Sequence, residues 1–256
     1  NTLRGQGVDV SHVIWTPEDR VGLYFLEQCP APRGAQVLYD RAGSAMSRMQ
    51  PDELPAHLLT SKQPGWLHLS GITLALSQTA ATTALTAAQQ AKAAGWRISF
   101  DVNYRAKLWS YDAASTGCEP LMQLADLIII PRRDAISMYD TAADGREAIE
   151  QLGTRFNQAV IVMTQGAEGA LGRQVDGHIA HQPIFEAAGS GRVGGGDAFV
   201  AGFLSAYLQG ASVADALAWG TAAAAYKFTL PGDMPLLDAA QLRAILQHDI
   251  STNPRR

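Results

Sequence analysis

Short apolar, β-branched runs alternate with alanine-rich stretches along most of this chain, and that alternation constrains its fold more than any other feature. Gly65-Trp-Leu-His-Leu-Ser-Gly71 reads as a buried strand ending in a glycine, and residues 78–94 follow with high helix propensity. Residues 96–103 are the next predicted strand; 119–124 read as helix, 125–130 as strand, 146–156 as helix and 159–164 as strand. A β-α-β-α order predicts an α/β fold with a mostly parallel central sheet and helices on both faces. Ligands of such sheets bind beyond the carboxyl ends of the strands. Asp101, Asn103, Arg105, Thr164, Gly166 and Asp197 all fall at or just after such ends.

The 256 residues suffice for one large α/β domain or two small ones, and 47% apolar content supports a packed core. With a net charge of −4 and no basic block, the sequence carries no electrostatic footprint for nucleic acid. Its longest apolar runs are too short to span a bilayer, and its polar start, Asn-Thr-Leu-Arg-Gly-Gln-Gly, does not read as a signal peptide. Cys29 and Cys118 are far apart and lack metal-binding spacing, which suits a reducing cytosol. A cytoplasmic protein with small-molecule partners, and none among nucleic acids or membranes, is the expectation.

The run Gly189-Ser-Gly-Arg-Val-Gly-Gly-Gly-Asp197-Ala-Phe-Val-Ala-Gly-Phe203 carries the chemistry. Three consecutive glycines lead into an aspartate that opens an apolar helix, residues 198–208. Glycine lets a backbone come close to a ligand, and free N–H groups at a helix start favour an anion. A carboxylate there repels a phosphate unless it has a task. The natural task is accepting the proton of a hydroxyl that attacks the phosphate. Three other readings compete. One makes Asp197 an ordinary helix N-cap after a flexible turn, and at the level of sequence it stays open. A dinucleotide fingerprint is matched by Gly189, Gly191 and Gly194, but residues 213–230 read as a second helix where that motif needs a strand. A Walker loop fails because no Gly-Lys-Ser/Thr follows the glycines.

Residues 20–27 and 34–41 read as two strands joined by the Pro- and Gly-containing segment 29–34. This hairpin, which carries Tyr24, Tyr39 and Arg41, is either a cover over a site or an ordinary edge of the same sheet. His68 is read as a satisfied core histidine, and His178 and His181 as surface residues without a third ligand. Residues 251–256 are expected to fray.

Over essentially its whole length the chain resembles the ribokinase-like (PfkB) carbohydrate kinases. The general mark is Gly194-Gly-Gly-Asp197-Ala-Phe-Val-Ala-Gly-Phe203. Four further segments are similar to the branch that acts on 2-keto-3-deoxygluconate: Gly22-Leu-Tyr-Phe-Leu-Glu27, Tyr39-Asp-Arg-Ala-Gly-Ser-Ala45, Phe100-Asp-Val-Asn-Tyr-Arg-Ala-Lys-Leu-Trp109 and Pro231-Gly-Asp-Met234. The resemblance implies one kinase domain, a three-layer α/β/α sandwich with a small β lid to which residues 10–45 contribute. It implies ATP-dependent phosphorylation of 2-keto-3-deoxy-D-gluconate at its terminal hydroxyl, giving the 6-phosphate.

By the same resemblance, Asp197 is the base and the N–H groups of Gly194, Gly195 and Gly196 form an anion hole. Tyr24, Tyr39, Arg41, Ile72, Arg105 and Asp233 are implied at the sugar. Asn103 and Arg105 approach the nucleotide phosphates, and Thr164, Gly166 and Gly169 belong to the turn that receives ATP. Residue chemistry agrees, since a guanidinium grips a carboxylate bidentately and tyrosine hydroxyls suit polyols. Without the motifs, Tyr24 and Tyr39 read as hairpin packing, and Arg41 and Arg105 as surface ion pairs with residues such as Asp40 or Asp101. ATP and Mg²⁺ are the implied cofactors, and the lid is a candidate surface for homo-oligomers.

Three departures accompany the resemblance. The chain begins inside the family pattern, so the usual opening strand, a sugar-binding segment and the first lid strands are expected to be missing. Gly191 stands where relatives place an aspartate beside a monovalent-cation site, so no potassium activation is expected. An Asn-x-x-Glu motif falls near Pro131-Arg-Arg-Asp134, where only Asp134 keeps an acid. Asp134 is expected to reach Mg²⁺ through water, and no direct metal ligand is assigned. A kinase for another sugar such as fructose, or a non-catalytic binding relative, is the alternative left standing.

Overall fold

The computed structural model describes residues 2–27, 36–59, 65–189 and 193–247, and within them the alternation seen in the sequence becomes strands and helices. These residues divide into two units: 2–27, 36–59, 65–100 and 104–125 in the first, and 101–103, 126–189 and 193–247 in the second. Cys29, the hairpin segment 29–34, Gly191 and residues 251–256 lie outside the described residues.

In the first unit Leu23–Glu27 (β1) pairs antiparallel with Gln36–Asp40 (β2) as a separate two-stranded sheet, with Tyr24 opposite Tyr39. That separation removes the reading of the hairpin as an edge of the main sheet. Arg20 grips Asp40 at the end of β2 with two hydrogen bonds, Nη2 to Oδ1 at 2.6 Å and Nη1 to Oδ2 at 3.0 Å. Trp66–Ser70 (β3), Gly71–Leu76 (α1), Gln78–Ala93 (α2), Arg97–Asp101 (β4) and Tyr111–Leu124 (α3) follow.

Helix α2 starts where Ser77 accepts the Ala80 N–H at 3.0 Å, an N-cap of the usual hydroxyl type. Ala80, Ala84, Ala87, Ala88 and Ala91 make its buried stripe, spaced three and four residues apart as a helix requires. Helix α3 begins at Tyr111 rather than at residue 119, capped by Ser110. Its internal Pro120, a residue that normally breaks helices, hid the first turns from a propensity reading. Cys118 is buried in α3, and burial pushes its thiol up to about 12.

Two expectations about β3 are corrected. The strand is half-buried rather than buried, and His68 is exposed, its Nδ1 3.1 Å from Ser99 Oγ, not a core histidine. The reason is position: among the described residues β3 is the first strand of its sheet and pairs with β4 alone.

The second unit holds Leu127–Pro131 (β5), Arg132–Tyr139 (α4), Gly145–Arg155 (α5), Val160–Thr164 (β6), Ala170–Arg173 (β7) and Ile179–Gln182 (β8). Gly195–Tyr207 (α6), Val213–Phe228 (α7) and Ala239–Leu246 (α8) complete it. Strand β3 neighbours β4 in the first unit, and the second unit's strands lie in the order β5-β6-β7-β8. Strands β5 and β6 are parallel, in register from Leu127 opposite Val160 to Pro131 opposite Thr164, because α4 and α5 between them supply the crossover. Strands β6, β7 and β8 run antiparallel, since the turns that join them are too short for one.

Leu127, Ile128 and Ile130 of β5 and Ile161, Val162 and Met163 of β6 are fully buried. Continuous apolar runs of this kind belong to strands covered on both faces, and each such side chain contributes about 1.5–3 kcal/mol by leaving water. Among the described residues no helix is long and apolar enough to cross a membrane.

Candidate active site

Helix α6 starts at Gly195, with Gly194 as its N-cap in a left-handed conformation (φ 81°). Asp197 is therefore inside the first turn rather than at the N-cap, and the capping reading of this residue falls away. Position 194 requires glycine twice over. Its φ is one that side chains resist, and a Cβ there would collide with the backbone oxygen of Asp233. The first N–H groups of a helix have no carbonyl partner within it. Together with the helix dipole they give the Gly194–Gly196 segment a positive face, with the exposed carboxylate of Asp197 beside it.

The end of β4 brings a second group to this carboxylate. Val102 N–H donates to Ile129 O at 3.0 Å, carrying the backbone ladder past Asp101. Asn103 then takes φ 40°, a left-handed value that asparagine tolerates better than most residues. Its Nδ2 lies 3.5 Å from Asp197 Oδ1, a long hydrogen bond across 94 residues of sequence.

A cavity of about 520 Å³ joins the helix start to the turn after β6. Thr164, Gly166 and Gly169 line it from the turn, Gly195 and Gly196 from the head of α6, and Phe228 from the end of α7. Backbone N–H groups at a helix start, a glycine turn and an aromatic wall suit a ligand with phosphates and a flat base. Gly169 permits this closeness: at φ 89° it packs so tightly on Gln182 that a Cβ would strike the Gln182 carbonyl oxygen.

The turn is braced by residues the sequence reading missed. Arg132, first residue of α4, holds Glu168 through two hydrogen bonds, Nη1 to Oε2 at 2.8 Å and Nη2 to Oε1. His181 Nε2 lies 2.9 Å from Glu168 O. The Arg132 guanidinium holds the Glu168 carboxyl below the usual carboxylate range, and Glu168 in turn raises Arg132. His178 and His181 are exposed, as expected of surface residues. The position of Arg132 just after a strand end was the available signal, but its partner lies 36 residues away.

The remaining candidates belong to the first unit. Tyr24 and Tyr39 are cross-strand neighbours with ring centroids 6.2 Å apart. Arg41 lies over the Tyr39 ring, 4.0 Å from its centroid, a cation–π contact. Asp40 is held by Arg20. Arg105 is half-buried, and its buried Nε has no hydrogen-bond partner among the described residues. Ile72 is half-buried in the first turn of α1, where its N–H donates to Ser70 Oγ at 3.4 Å.

Among the described residues no three His, Cys, Asp or Glu side chains are grouped to hold a metal. Asp134 is fully buried in α4 with Arg133 Nε 3.3 Å from its Oδ1, which does not fit a metal ligand reached from solvent. A Mg²⁺ held by nucleotide phosphates and water does fit, since this ion keeps several waters and needs few protein ligands.

The model of the pfkB family carbohydrate kinases matches residues 1–240. A 2-dehydro-3-deoxygalactonokinase of Haloferax volcanii is 37% identical over 96% of this chain and 76% of its own length. A 2-dehydro-3-deoxygluconokinase of Thermoproteus tenax is 33% identical over 90% of this chain and 69% of its own length. Among solved structures, the 2-dehydro-3-deoxygluconokinase of Thermotoga maritima superposes with a TM-score of 0.83 at 25% identity, covering 96% of this chain and 78% of that one. A fructokinase of Vibrio cholerae, solved with fructose, ADP and calcium ion, superposes at 0.81 with 26% identity, covering 96% and 79%. The chain belongs to the PfkB family, has its ribokinase-like fold, and is a carbohydrate kinase.

Proposed function

We propose that this kinase phosphorylates a 2-keto-3-deoxy sugar acid, 2-keto-3-deoxy-D-gluconate in the first instance, on its terminal hydroxyl with ATP as donor. The observation that carries the reading is the 520 Å³ cavity linking the Thr164–Gly169 turn to the head of α6, with Asp197 and Asn103 at that helix start. The relatives from Thermoproteus tenax and Thermotoga maritima are named for the gluconate acid, and the one from Haloferax volcanii for its galactonate epimer.

In this reading Asp197 takes the proton of the terminal hydroxyl as its oxygen bonds to the γ-phosphorus, and the bond from that phosphorus to the ADP oxygen breaks. The N–H groups of Gly194, Gly195 and Gly196 hold the charge that develops on the transferred phosphoryl group. Asn103 orients the Asp197 carboxylate. Thr164, Gly166 and Gly169 receive the nucleotide, and Phe228 packs beside it. Arg105 and Arg41 hold the sugar carboxylate, with Tyr24, Tyr39, Ile72 and Asp233 around the rest of the acceptor. Arg105 fits this role because its desolvated Nε has no acceptor among the described residues and can give a hydrogen bond to the acid. Mg²⁺, carried on ATP, supplies neutralisation of phosphate charge.

The test is ADP release from the purified protein with Mg-ATP and each of three acceptors: 2-keto-3-deoxy-D-gluconate, its galactonate epimer and fructose. Highest kcat/KM with the gluconate acid is the expected result. Preference for fructose would overturn the acidic substrate, and preference for the epimer would reassign the stereochemistry alone.

A further inference from the structure

Lys227, in the last turn of α7, has one of the largest fully buried side chains of the described residues, and the proposed mechanism does not use it. Burying an ammonium is costly unless it is paired and hydrogen-bonded, and a methionine of similar length would fill the same space without that cost. The partners of this ammonium are therefore informative. Its Nζ donates to Leu230 O at 3.2 Å, across the turn that leaves the helix. Burial pushes its pKa down, and the negative charge of Asp233, further along the same turn, pushes it back up.

That turn packs on the anion hole. The Asp233 backbone oxygen lies against Gly194 so closely that no Cβ fits between them. The Phe228 carbonyl closes on Gly189 in the same way, and the Phe228 ring would lie 2.6 Å from a Cβ at Gly195. Gly194 keeps its left-handed φ with the Asp233 carbonyl against it, and the Lys227 ammonium donates to Leu230 O within the same segment.

We propose that Lys227 is a positioning residue for phosphoryl transfer: its buried charge pins the Leu230–Asp233 turn, and that turn fixes the backbone of Gly194 and Gly195 in the geometry of an anion hole. The inference rests on the reading of Gly194–Asp197 as the transfer site. Lys227 acts on that site through the turn and touches no reacting atom. The carbonyl it draws in and the glycine the turn abuts are 36 residues apart, so the coupling is tertiary.

The charge, rather than the packing, is the point to test. Lys227→Met keeps the volume and removes the ammonium; Lys227→Gln keeps a donor for Leu230 O and also removes the charge. Each should retain the wild-type circular dichroism spectrum yet lose about 10- to 100-fold in kcat, with a smaller change in KM for the sugar, because a slightly misplaced hole fails mainly in the transition state. In Lys227→Ala, methylammonium chloride should restore part of kcat, and the same concentration of sodium chloride should not.

If either folded variant turns over within about twofold of wild type, or if the Ala variant loses thermal stability and activity together without methylammonium rescue, the residue is structural only. Wild-type turnover is the control. If the wild type releases no sugar-dependent ADP, the functional reading has failed; if wild type and both variants turn over alike, only the role of Lys227 has.

Discussion

The Asn103 amide lies 3.5 Å from the Asp197 carboxylate, and Asn103 holds a left-handed φ of 40°. Strain of this kind persists where the surrounding structure over-determines it, commonly at functional sites. Two substitutions separate backbone from side chain. Asn103→Gly relieves the φ and removes the amide; it should melt close to wild type and lose roughly tenfold in kcat. Asn103→Ala loses both, with a further destabilisation of about 1 kcal/mol. Wild-type kcat in the Gly variant would show that the amide does not act on Asp197.

Asp197→Asn removes the proposed base at nearly constant volume. Because its carboxylate sits in the first turn of α6, it also stabilises the helix, by about 0.3–1 kcal/mol. Turnover should fall by about 10²–10⁴, the range of general base catalysis, with only a small fall in melting temperature. Residual turnover near one-tenth of wild type would remove Asp197 from proton transfer.

Gly194 and Gly196 are neighbours in sequence with opposite surroundings. A Cβ at Gly194 meets Asp233 O, whereas one at Gly196 meets nothing within 4 Å among the described residues. Gly194→Ala should therefore lose stability and activity together. Gly196→Ala should be as stable as wild type or more so, since alanine exceeds glycine in helix propensity by about 1 kcal/mol. Its methyl group still narrows the proposed phosphate site, so the KM for ATP should rise. An unchanged ATP KM in a well-folded Gly196→Ala would move the phosphates elsewhere.

The Arg132–Glu168 pair gives a pH-dependent prediction with a definite sign. Glu168 has its carboxyl lowered from an ordinary 4.5 by hydrogen bonding to Arg132. A depressed carboxyl stabilises fully above its unfolded value and loses that contribution as pH falls through the folded one. Wild type and Glu168→Gln should thus differ in melting temperature at pH 7, and the difference should shrink as pH falls from 4.5 through the lowered value of the folded state. The pair is at the surface, so the gap should be small and should shrink in high salt. The KM for ATP should rise in the variant if the brace shapes the turn; identical nucleotide binding would limit the pair to surface electrostatics.

Arg105→Ala should raise the KM for the sugar acid by tenfold or so, the cost of one charge-assisted hydrogen bond, and leave the KM for ATP little changed. Arg105→Lys should recover only part of that loss, because a lysine lacks the planar fork. A sugar KM unaffected by either change would take Arg105 out of the acceptor site.

Much of the candidate site was legible because its groups are encoded locally. Gly194 to Asp197 are contiguous, and Thr164, Gly166 and Gly169 sit at the end of an apolar run whose strand character is plain. Helix α4 was not anticipated, since it is short and its first turn is polar, and α3 was cut short by Pro120. The N-cap is set by the fold: Asp197 is a favoured capping residue, and the left-handed φ of Gly194 shows that the helix begins before it.

The sequence by itself determined the alternation of β3, α2, β4, α3, β5, α5 and β6, the glycine run with its aspartate, and the family, since hydrophobic period and contiguous motifs are short-range properties of a chain. The tertiary structure decided which distant groups meet: Asn103 with Asp197, Arg132 with Glu168, and the turn pinned by Lys227 with Gly194. Each of these depends on where a strand or helix ends in space, and one residue of difference in that ending swings a side chain to another face.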